Sequence, residues 1–290
     1  MEPVVTLHHF TNPVWMRDLG GWDAPAAEQR FTRYVEKALT TLEGVRRVCT
    51  VNEPNMIALW TGALASAGST SGPRPDERVR DTLLSAHRSA VEVARAQGIE
   101  AGLTVAMTAY TTDGSDEAAA AVSAFRAEDE DPYLQEGRQD DFLGVQAYTR
   151  RFASAAGGVL PQGHDLAGPA AHQTLTGWNY YPQSIGECLR RAAVLAPGTP
   201  LVVTENGIAT ANDEERIAYT ADALESVLGA LSEGAPVTGY FHWSLLDNFE
   251  WVLGYVPRFG LIEVDRATFT RTPKPSARWF ASVAAANAIA

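Results

Sequence analysis

The chain has 290 residues, of which 46% are hydrophobic and 20% are charged, a composition that suits a globular protein with a sizeable core. Its formal net charge of −12 at pH 7 argues against a nucleic-acid partner, because no surplus of basic residues exists to neutralise phosphates. No apolar run approaches the roughly 20 residues of a membrane span, and with no signal peptide before the first strand the expected location is cytoplasmic.

Strand-like segments alternate with helix-like segments along the chain. Apolar and β-branched runs predict six strands, near residues 4, 48, 103, 143, 202 and 238. Phe31 and Leu39 lie on one face of an amphipathic helix, for which Asp23 is the expected N-terminal cap. Asp76 and Asp213 are expected to cap two later helices.

This alternation predicts a parallel α/β barrel of the TIM (β/α)8 type that forms a single domain over residues 1–290. A closed barrel has eight strands, whereas only about six strand–helix units can be found here. The run 128–131 (EDED) is expected to be a solvated acidic turn, and residues 154–173, rich in Gly, Ala and Pro, are expected to be a long loop. Cys49 and Cys188 are interpreted as buried free thiols.

Glu205 lies at the end of a short strand-like run. Leu201, Val202 and Val203 are typical of a parallel strand that is covered on both faces, and Gly207 supplies a permissive backbone for the turn that follows. In a parallel α/β barrel the chemistry lies at the carboxyl ends of the strands, so Glu205 is a candidate nucleophile or acid/base. A metal-binding or helix-capping role for this carboxylate stays open at this point.

A second carboxylate follows the same pattern. Glu53 comes after the β-branched run 47–51 and precedes a proline that stops the strand. Cleavage of a glycosidic bond requires two carboxyl groups, of which one protonates the leaving oxygen while the other attacks the anomeric carbon or activates water. Glu53 and Glu205 are therefore a candidate catalytic pair.

A series of short segments carries a resemblance to a known enzyme family. In chain order they are 6–10 (TLHHF), 50–54 (TVNEP), 141–144 (DFLG), 204–207 (TENG), 239–251 (GYFHWSLLDNFEW), 258–265 (RFGLIEVD) and 271–277 (RTPKPSA). With these motifs in this order, the chain resembles glycoside hydrolase family 1, the β-glucosidase family, nearly from end to end. The first of them matches the family's third strand, so the resemblance implies an N-terminally truncated barrel that lacks two strand–helix units.

The resemblance implies a retaining β-glycosidase that hydrolyses β-D-glucosides or related β-glycosides with no metal and no cofactor. Glu205 would be the nucleophile and Glu53 the general acid/base, with their carboxyl groups roughly 5–5.5 Å apart, as retention requires. In the family, the missing units carry an arginine that lies beside the nucleophile. Without that arginine, the pKa of Glu205 is expected to be higher.

The resemblance also implies a set of residues that bind the sugar, namely His9, Asn52, Tyr148, Trp243, Glu250, Trp251 and Phe259. His9 and Asn52 would contact sugar hydroxyls; the less favoured alternatives are a core histidine for His9 and a strand-end turn for Asn52. Tyr148 would hydrogen-bond the nucleophile and tune it. Gln146 stands where the family has asparagine, which leaves a ligand role for it in doubt.

The remaining residues of the set come from the later motifs. Glu250 and Trp251 would bind the outer hydroxyls, and Phe259 would line the pocket. Trp243 would form an aromatic platform under the pyranose ring, unless it is a core residue, and in the family a cis peptide bond often follows it. Trp178 could face the leaving group.

Two other functions stay open. A transglycosylase of the same family would pass the sugar to an acceptor other than water, and a truncated non-catalytic remnant would bind sugar weakly. The missing strands favour the remnant, whereas the intact glutamates favour an enzyme. The expected partner is a small-molecule β-glycoside, with no nucleic acid and no membrane, and the oligomeric state is not indicated.

Overall fold

Six strands form one sheet in the computed structural model, which describes residues 2–65 and 74–289. In their order across the sheet, which is also their order along the chain, they are Val4–His8, Arg47–Asn52, Glu100–Ala106, Leu143–Gln146, Leu201–Asn206 and Val237–His242. The first and second strands pair in parallel with Val5 opposite Val48, and the second and third pair in parallel with Val48 opposite Ala101. The six predicted strands are confirmed.

Helices separate the strands of this sheet along the chain. The α-helices are Val14–Asp18, Ala27–Leu39, Pro54–Ala65, Glu77–Ala96, Asp116–Asp129, Asp131–Glu136, Ser184–Leu195, Asp213–Ser232 and Pro275–Ala286. Single turns of 3-10 helix are found at Gly21–Asp23, Gly137–Gln139 and Trp251–Leu253. The chain therefore alternates between strand and helix, as the sequence predicts.

The chain divides into two compact units. The first unit comprises residues 1–106, 124–145 and 192–202, and the second comprises residues 107–123, 146–191 and 203–290. The single domain over residues 1–290 stays a prediction. Among the described residues, none of the helices combines the length and the hydropathy needed to cross a membrane.

The core of the first unit lies between its strands and its amphipathic helices. Phe31 and Leu39 are both 4% exposed on the helix Ala27–Leu39, as the apolar spacing predicts. Asp76 caps the next long helix as expected, because its Oδ1 accepts hydrogen bonds from the amides of Arg78 and Val79 at 3.0 and 3.2 Å. Both cysteines are buried and neither forms a disulfide, as predicted.

Two of the predicted caps are wrong. Asp23 lies in a 3-10 turn before the helix begins at Ala27, and its carboxylate pairs with Arg78 at 3.2 Å. Asp213 is the first residue of its helix, and the cap is Asn212, whose Oδ1 accepts from the second helical amide at 3.1 Å. The Asp213 carboxylate instead accepts hydrogen bonds from the amide and the hydroxyl of Ser276 at 2.7 and 2.8 Å. Both carboxylates therefore bind groups outside their helices.

The acidic run 128–131 is not the solvated turn that the sequence suggested. Asp129 and Glu130 are only 5% and 1% exposed, at the junction of two helices. Asp129 Oδ2 accepts a hydrogen bond from Asn55 Nδ2 at 3.4 Å, and Glu130 Oε2 lies 3.7 Å from Arg126 Nε. These partners offset part of the desolvation cost of burying two acids.

Residues 154–173 do not form one long loop, which corrects that prediction. They contain the short strands Gly158–Val159, His164–Asp165 and Gly168–Pro169. The first pairs with the end of Arg150–Ser154, which in turn pairs in parallel with Ala109–Thr112. These pairings are too short to leave a hydrophobic period in the sequence. A further two-stranded sheet joins Ile262–Val264 and Arg271–Pro273.

Candidate active site

Glu205 is the penultimate residue of the strand Leu201–Asn206, where the sequence predicts a functional carboxylate. Its Oε2 accepts a hydrogen bond from the Tyr148 hydroxyl at 2.5 Å. Burial raises the pKa of Glu205 to about 7, the Tyr148 bond opposes that rise, and the negative charge of Glu250 adds to it. The sequence expectation attributed a higher pKa to a missing arginine, and that cause stays a prediction.

Tyr148 is held on several sides. Its backbone carbonyl accepts a hydrogen bond from the Tyr219 hydroxyl at 2.7 Å. Its ring centroid lies 5.5 Å from that of Trp178 and 6.0 Å from that of Phe259. Phe259 is itself buried, at 1% exposure. The hydroxyl of Tyr148 is therefore fixed against Glu205 by packing as well as by the hydrogen bond.

Glu250 and Trp243 come together in the same unit. Asn248 Nδ2 donates to Glu250 Oε2 at 2.7 Å. Burial raises the pKa of Glu250, while hydrogen bonds from Asn248 and from the Trp243 side chain lower it. Trp251 begins the 3-10 turn that follows, with φ of +46°. This group joins a carboxylate acceptor to an indole, a combination of polar and aromatic groups that is typical of small-molecule sites.

The turn after the Glu205 strand is built by close backbone contact. The amide of Trp243 donates to the carbonyl of Asn206 at 2.9 Å, and a Cβ on Gly207 would lie 1.9 Å from the Trp243 carbonyl oxygen. Glycine is therefore required here by close approach, which corrects the turn argument drawn from the sequence. The peptide bond between Trp243 and Ser244 is cis, as the resemblance implies.

Glu53 occupies a strained position in the first unit. Its φ is +44°, which is uncommon for a residue with a side chain. Its amide donates to the Thr104 carbonyl at 3.0 Å, and its own carbonyl accepts the first bond of the helix Pro54–Ala65, from the amide of Met56 at 2.9 Å. Strained residues of this kind cluster at functional sites, so the backbone supports the selection of Glu53.

Asn52 and His9 lie beside each other in that unit. Asn52 Nδ2 is 3.3 Å from His9 Nε2, and Asn52 Oδ1 accepts from the Thr104 hydroxyl at 3.2 Å. Burial, and then the neighbouring His8, lower the pKa of His9, which favours a neutral imidazole. His8 is a core residue, 9% exposed, with its ring 5.1 Å edge-on from Trp22.

The structure thus places the predicted site residues in two groups, one in each unit. The first unit holds His9, Asn52 and Glu53, and the second holds Tyr148, Glu205, Trp243, Glu250, Trp251 and Phe259. Their catalytic and sugar-binding roles stay predictions. Sequence reasoning missed Asn248, although it stands two residues before Glu250 in the same motif and orients that carboxylate.

No metal site is indicated in the part of the chain that the structure describes. Within residues 2–65 and 74–289, no group of three or more His, Cys, Asp and Glu side chains is arranged to hold a metal ion. The expectation that the protein uses neither metal nor cofactor stays a prediction.

Comparison with known proteins identifies the family. The model of the family described as "Glycosyl hydrolase family 1" matches residues 1–130 and 115–289. The bifunctional β-D-glucosidase/β-D-fucosidase of Bifidobacterium breve is 31% identical, over 97% of this chain and 74% of that protein.

Solved structures agree with this comparison. The β-glycosidase from Pyrococcus horikoshii superposes with a TM-score of 0.87 at 31% identity, over 100% of this chain and 73% of that one. The Thermotoga maritima β-glucosidase in complex with deoxynojirimycin has a TM-score of 0.87 at 25% identity, over 100% of this chain and 75% of its own.

These structures also confirm the predicted fold class, a TIM (β/α)8-type barrel of which this chain contributes a sheet of six strands. The family model covers almost every residue, and a relative above 30% identity is matched over nearly the whole chain. The chain belongs to glycosyl hydrolase family 1 and is a glycoside hydrolase acting on O-glycosyl bonds.

Proposed function

We propose that the chain is a retaining β-glycosidase that hydrolyses β-D-glucosides or related β-glycosides, with Glu205 as nucleophile and Glu53 as general acid/base. The observation that carries the proposal is the strand-end carboxylate of Glu205 with the Tyr148 hydroxyl 2.5 Å from its Oε2. A relative that is named a β-D-glucosidase/β-D-fucosidase supports this substrate class.

In the first step, a carboxylate oxygen of Glu205 attacks the anomeric carbon while Glu53 gives its proton to the glycosidic oxygen. The glycosidic bond breaks, the aglycone leaves as an alcohol, and the sugar is esterified to Glu205. In the second step, ionised Glu53 takes a proton from water, whose oxygen attacks the anomeric carbon and releases Glu205 as carboxylate. Two inversions give net retention.

The environment of Glu205 suits a nucleophile whose charge changes during the reaction. Burial disfavours the carboxylate and raises its pKa to about 7, whereas the hydroxyl of Tyr148 stabilises the charged form. A desolvated carboxylate held by a single strong donor is reactive towards carbon, and it loses its unfavourable charge when the ester forms. The same burial predicts that activity falls as the pH drops below about 7, because a protonated Glu205 cannot attack.

The sugar would be bound by the other residues of the two groups. Glu250 would accept hydrogen bonds from outer hydroxyls, and the Trp243 ring would cover the C–H face of the pyranose. His9 and Asn52, 3.3 Å apart, would contact hydroxyls at the reacting end. Trp251 and Phe259 would complete the pocket. The solved complex of a relative with deoxynojirimycin, a sugar-like compound, supports sugar binding by these residues.

The test is hydrolysis of an aryl β-glucoside by the purified 290-residue chain. Release of the aryl alcohol that is lost in both Glu205→Ala and Glu53→Ala, with variants still folded, would support the proposal. An acceptor alcohol added to the assay distinguishes transglycosylation, because it would divert most of the sugar into a new glycoside. Binding of deoxynojirimycin without any turnover would favour the non-catalytic remnant and contradict the proposal.

The remaining expectations are unchanged by the structure. A cytoplasmic location and the absence of a nucleic-acid partner remain predictions from composition and charge.

A further inference from the structure

The motif 271–277 (RTPKPSA) has no part in the proposed chemistry, yet its lysine is largely buried. The Lys274 side chain is 14% exposed and its partner Asp247 is 10% exposed. Lys274 Nζ donates to Asp247 Oδ1 at 2.9 Å, to Asp247 Oδ2 at 3.1 Å and to the Gly260 carbonyl oxygen at 2.7 Å. A buried ion pair is weak evidence for net stability. The role of this pair is therefore sought in the backbone segments that it connects.

Lys274 joins the two ends of the segment 247–260. Asp247 Oδ1 also accepts a hydrogen bond from the Gly260 amide at 2.9 Å. The two backbones approach so closely that a Cβ on Gly260 would lie 2.1 Å from the Asp247 amide nitrogen. The Asp247 amide in turn donates to the carbonyl of Ile262 at 3.0 Å. The lysine therefore closes the base of a loop.

Hydrophobic burial does little to fix the body of this loop. Phe249, Val252 and Val256 are 57%, 99% and 69% exposed. Side chains that stay exposed remove little apolar area from water, so they do not favour one backbone conformation over another. Phe259 is buried near the end of the loop, whereas residues 249–256 depend on polar contacts and on the edge-on packing of Phe249 against Tyr255, whose ring centroids are 5.1 Å apart.

Hydrogen bonds connect Ser244, which precedes the loop, to Glu250 within it. Ser244 Oγ lies 2.8 Å from the carbonyl oxygen of Leu246 and 3.3 Å from Asn248 Oδ1, so its one proton is shared between these two acceptors. Asn248 Nδ2 then donates to Glu250 Oε2 at 2.7 Å. Because Asn248 directly follows Asp247, a displacement of Asp247 moves the amide that orients the Glu250 carboxylate.

We propose that Lys274 is a positioning residue for the sugar site, which holds Asp247 against Gly260 and so fixes the loop that presents Glu250. The proposal rests on the proposed function in one respect, the binding of sugar by Glu250. Lys274 itself would touch neither the sugar nor the reacting atoms.

The test compares Lys274→Met with Lys274→Arg and with Arg190→Met, a matched control that removes an exposed arginine from its pair with Glu233. Binding of deoxynojirimycin is measured by titration calorimetry, and amide hydrogen exchange is followed by mass spectrometry. We expect Lys274→Met to weaken binding by about 10- to 100-fold, since a displacement of about 1 Å at a site can cost that much. Exchange should rise in the segment 247–260 and stay unchanged in the strand Leu201–Asn206. Lys274→Arg should recover part of the affinity, and Arg190→Met should match the wild type.

The outcomes separate this proposal from the proposed function. A Glu250→Gln variant that binds as well as the wild type, or a wild-type chain that binds no deoxynojirimycin, would contradict the proposed sugar site. A weakened Glu250→Gln together with an unaffected Lys274→Met would contradict the positioning role alone. A rise in exchange spread evenly over the chain would also overturn it, because Lys274 would then stabilise the fold in general.

Discussion

Replacing Glu205 by glutamine should make the protein more stable at alkaline pH, even though it removes the proposed nucleophile. Burial raises the pKa of this carboxyl from 4.5 to about 7, so the folded protein binds the proton more tightly than the unfolded chain does. The stability that this group contributes is fully present below the unfolded pKa and is lost as the pH rises through 7. Glutamine has the same shape and does not titrate.

The size of the effect follows from the rise of this pKa from 4.5 to about 7. At 1.36 kcal/mol per unit, the ionised carboxylate lowers the free energy of unfolding by about 3 kcal/mol above pH 8, but by only about 1 kcal/mol at pH 5.5. The advantage of Glu205→Gln over the wild type should therefore grow by about 2 kcal/mol between pH 5.5 and pH 8.5.

Urea unfolding followed by tryptophan fluorescence at both pH values measures this difference. Glu233→Gln is the matched control, because Glu233 is exposed and its hydrogen bond to Arg190 lowers its pKa instead. An advantage of Glu205→Gln that is equal at the two pH values, or a variant that is less stable than the wild type at pH 8.5, would refute the reasoning.

Two further predictions concern Tyr148 and Arg216. Tyr148→Phe removes a hydrogen bond to a charged acceptor, which is worth about 1.5–3 kcal/mol. The pKa of Glu205 should therefore rise further, by about 1–2 units. The acid limb of the kcat/KM profile should move to higher pH by the same amount, and an unmoved limb in a folded variant would contradict the role of Tyr148. Arg216→Met removes a 1% exposed guanidinium that pairs with Asp213 and donates to the carbonyl oxygens of Thr210 and Arg258, so it should cost about 3–5 kcal/mol in chemical unfolding. A cost below about 1 kcal/mol would show that the buried charge is not what holds these segments.

The strands and the catalytic candidates could be predicted from the sequence because their signals are local. Each strand of the sheet is a short β-branched or apolar run, and Glu53 and Glu205 stand directly at the ends of two such runs. The burial of Phe31 and Leu39 likewise follows from helical spacing.

The features that the sequence did not predict depend on partners far along the chain. Asp23 pairs with Arg78, and Asp129 in the acidic run accepts a hydrogen bond from Asn55. Neither the composition of the sequence nor its hydrophobic periodicity shows that these two residues would be the partners. Asn248 was missed for a different reason, because its hydrogen bond to Glu250 is seen only in the folded structure.

The measurement that tests the central claim most directly is covalent trapping of the nucleophile. The chain is incubated with an activated aryl 2-deoxy-2-fluoro-β-glucoside, digested with a protease, and the labelled peptide is sequenced by mass spectrometry. A retaining mechanism predicts one fluorosugar esterified to Glu205, in the peptide that contains residues 201–207, and no label in Glu205→Gln. A label on any other residue, or turnover of the aryl glucoside with inversion and no trapped ester, would contradict the assignment of Glu205 as the nucleophile.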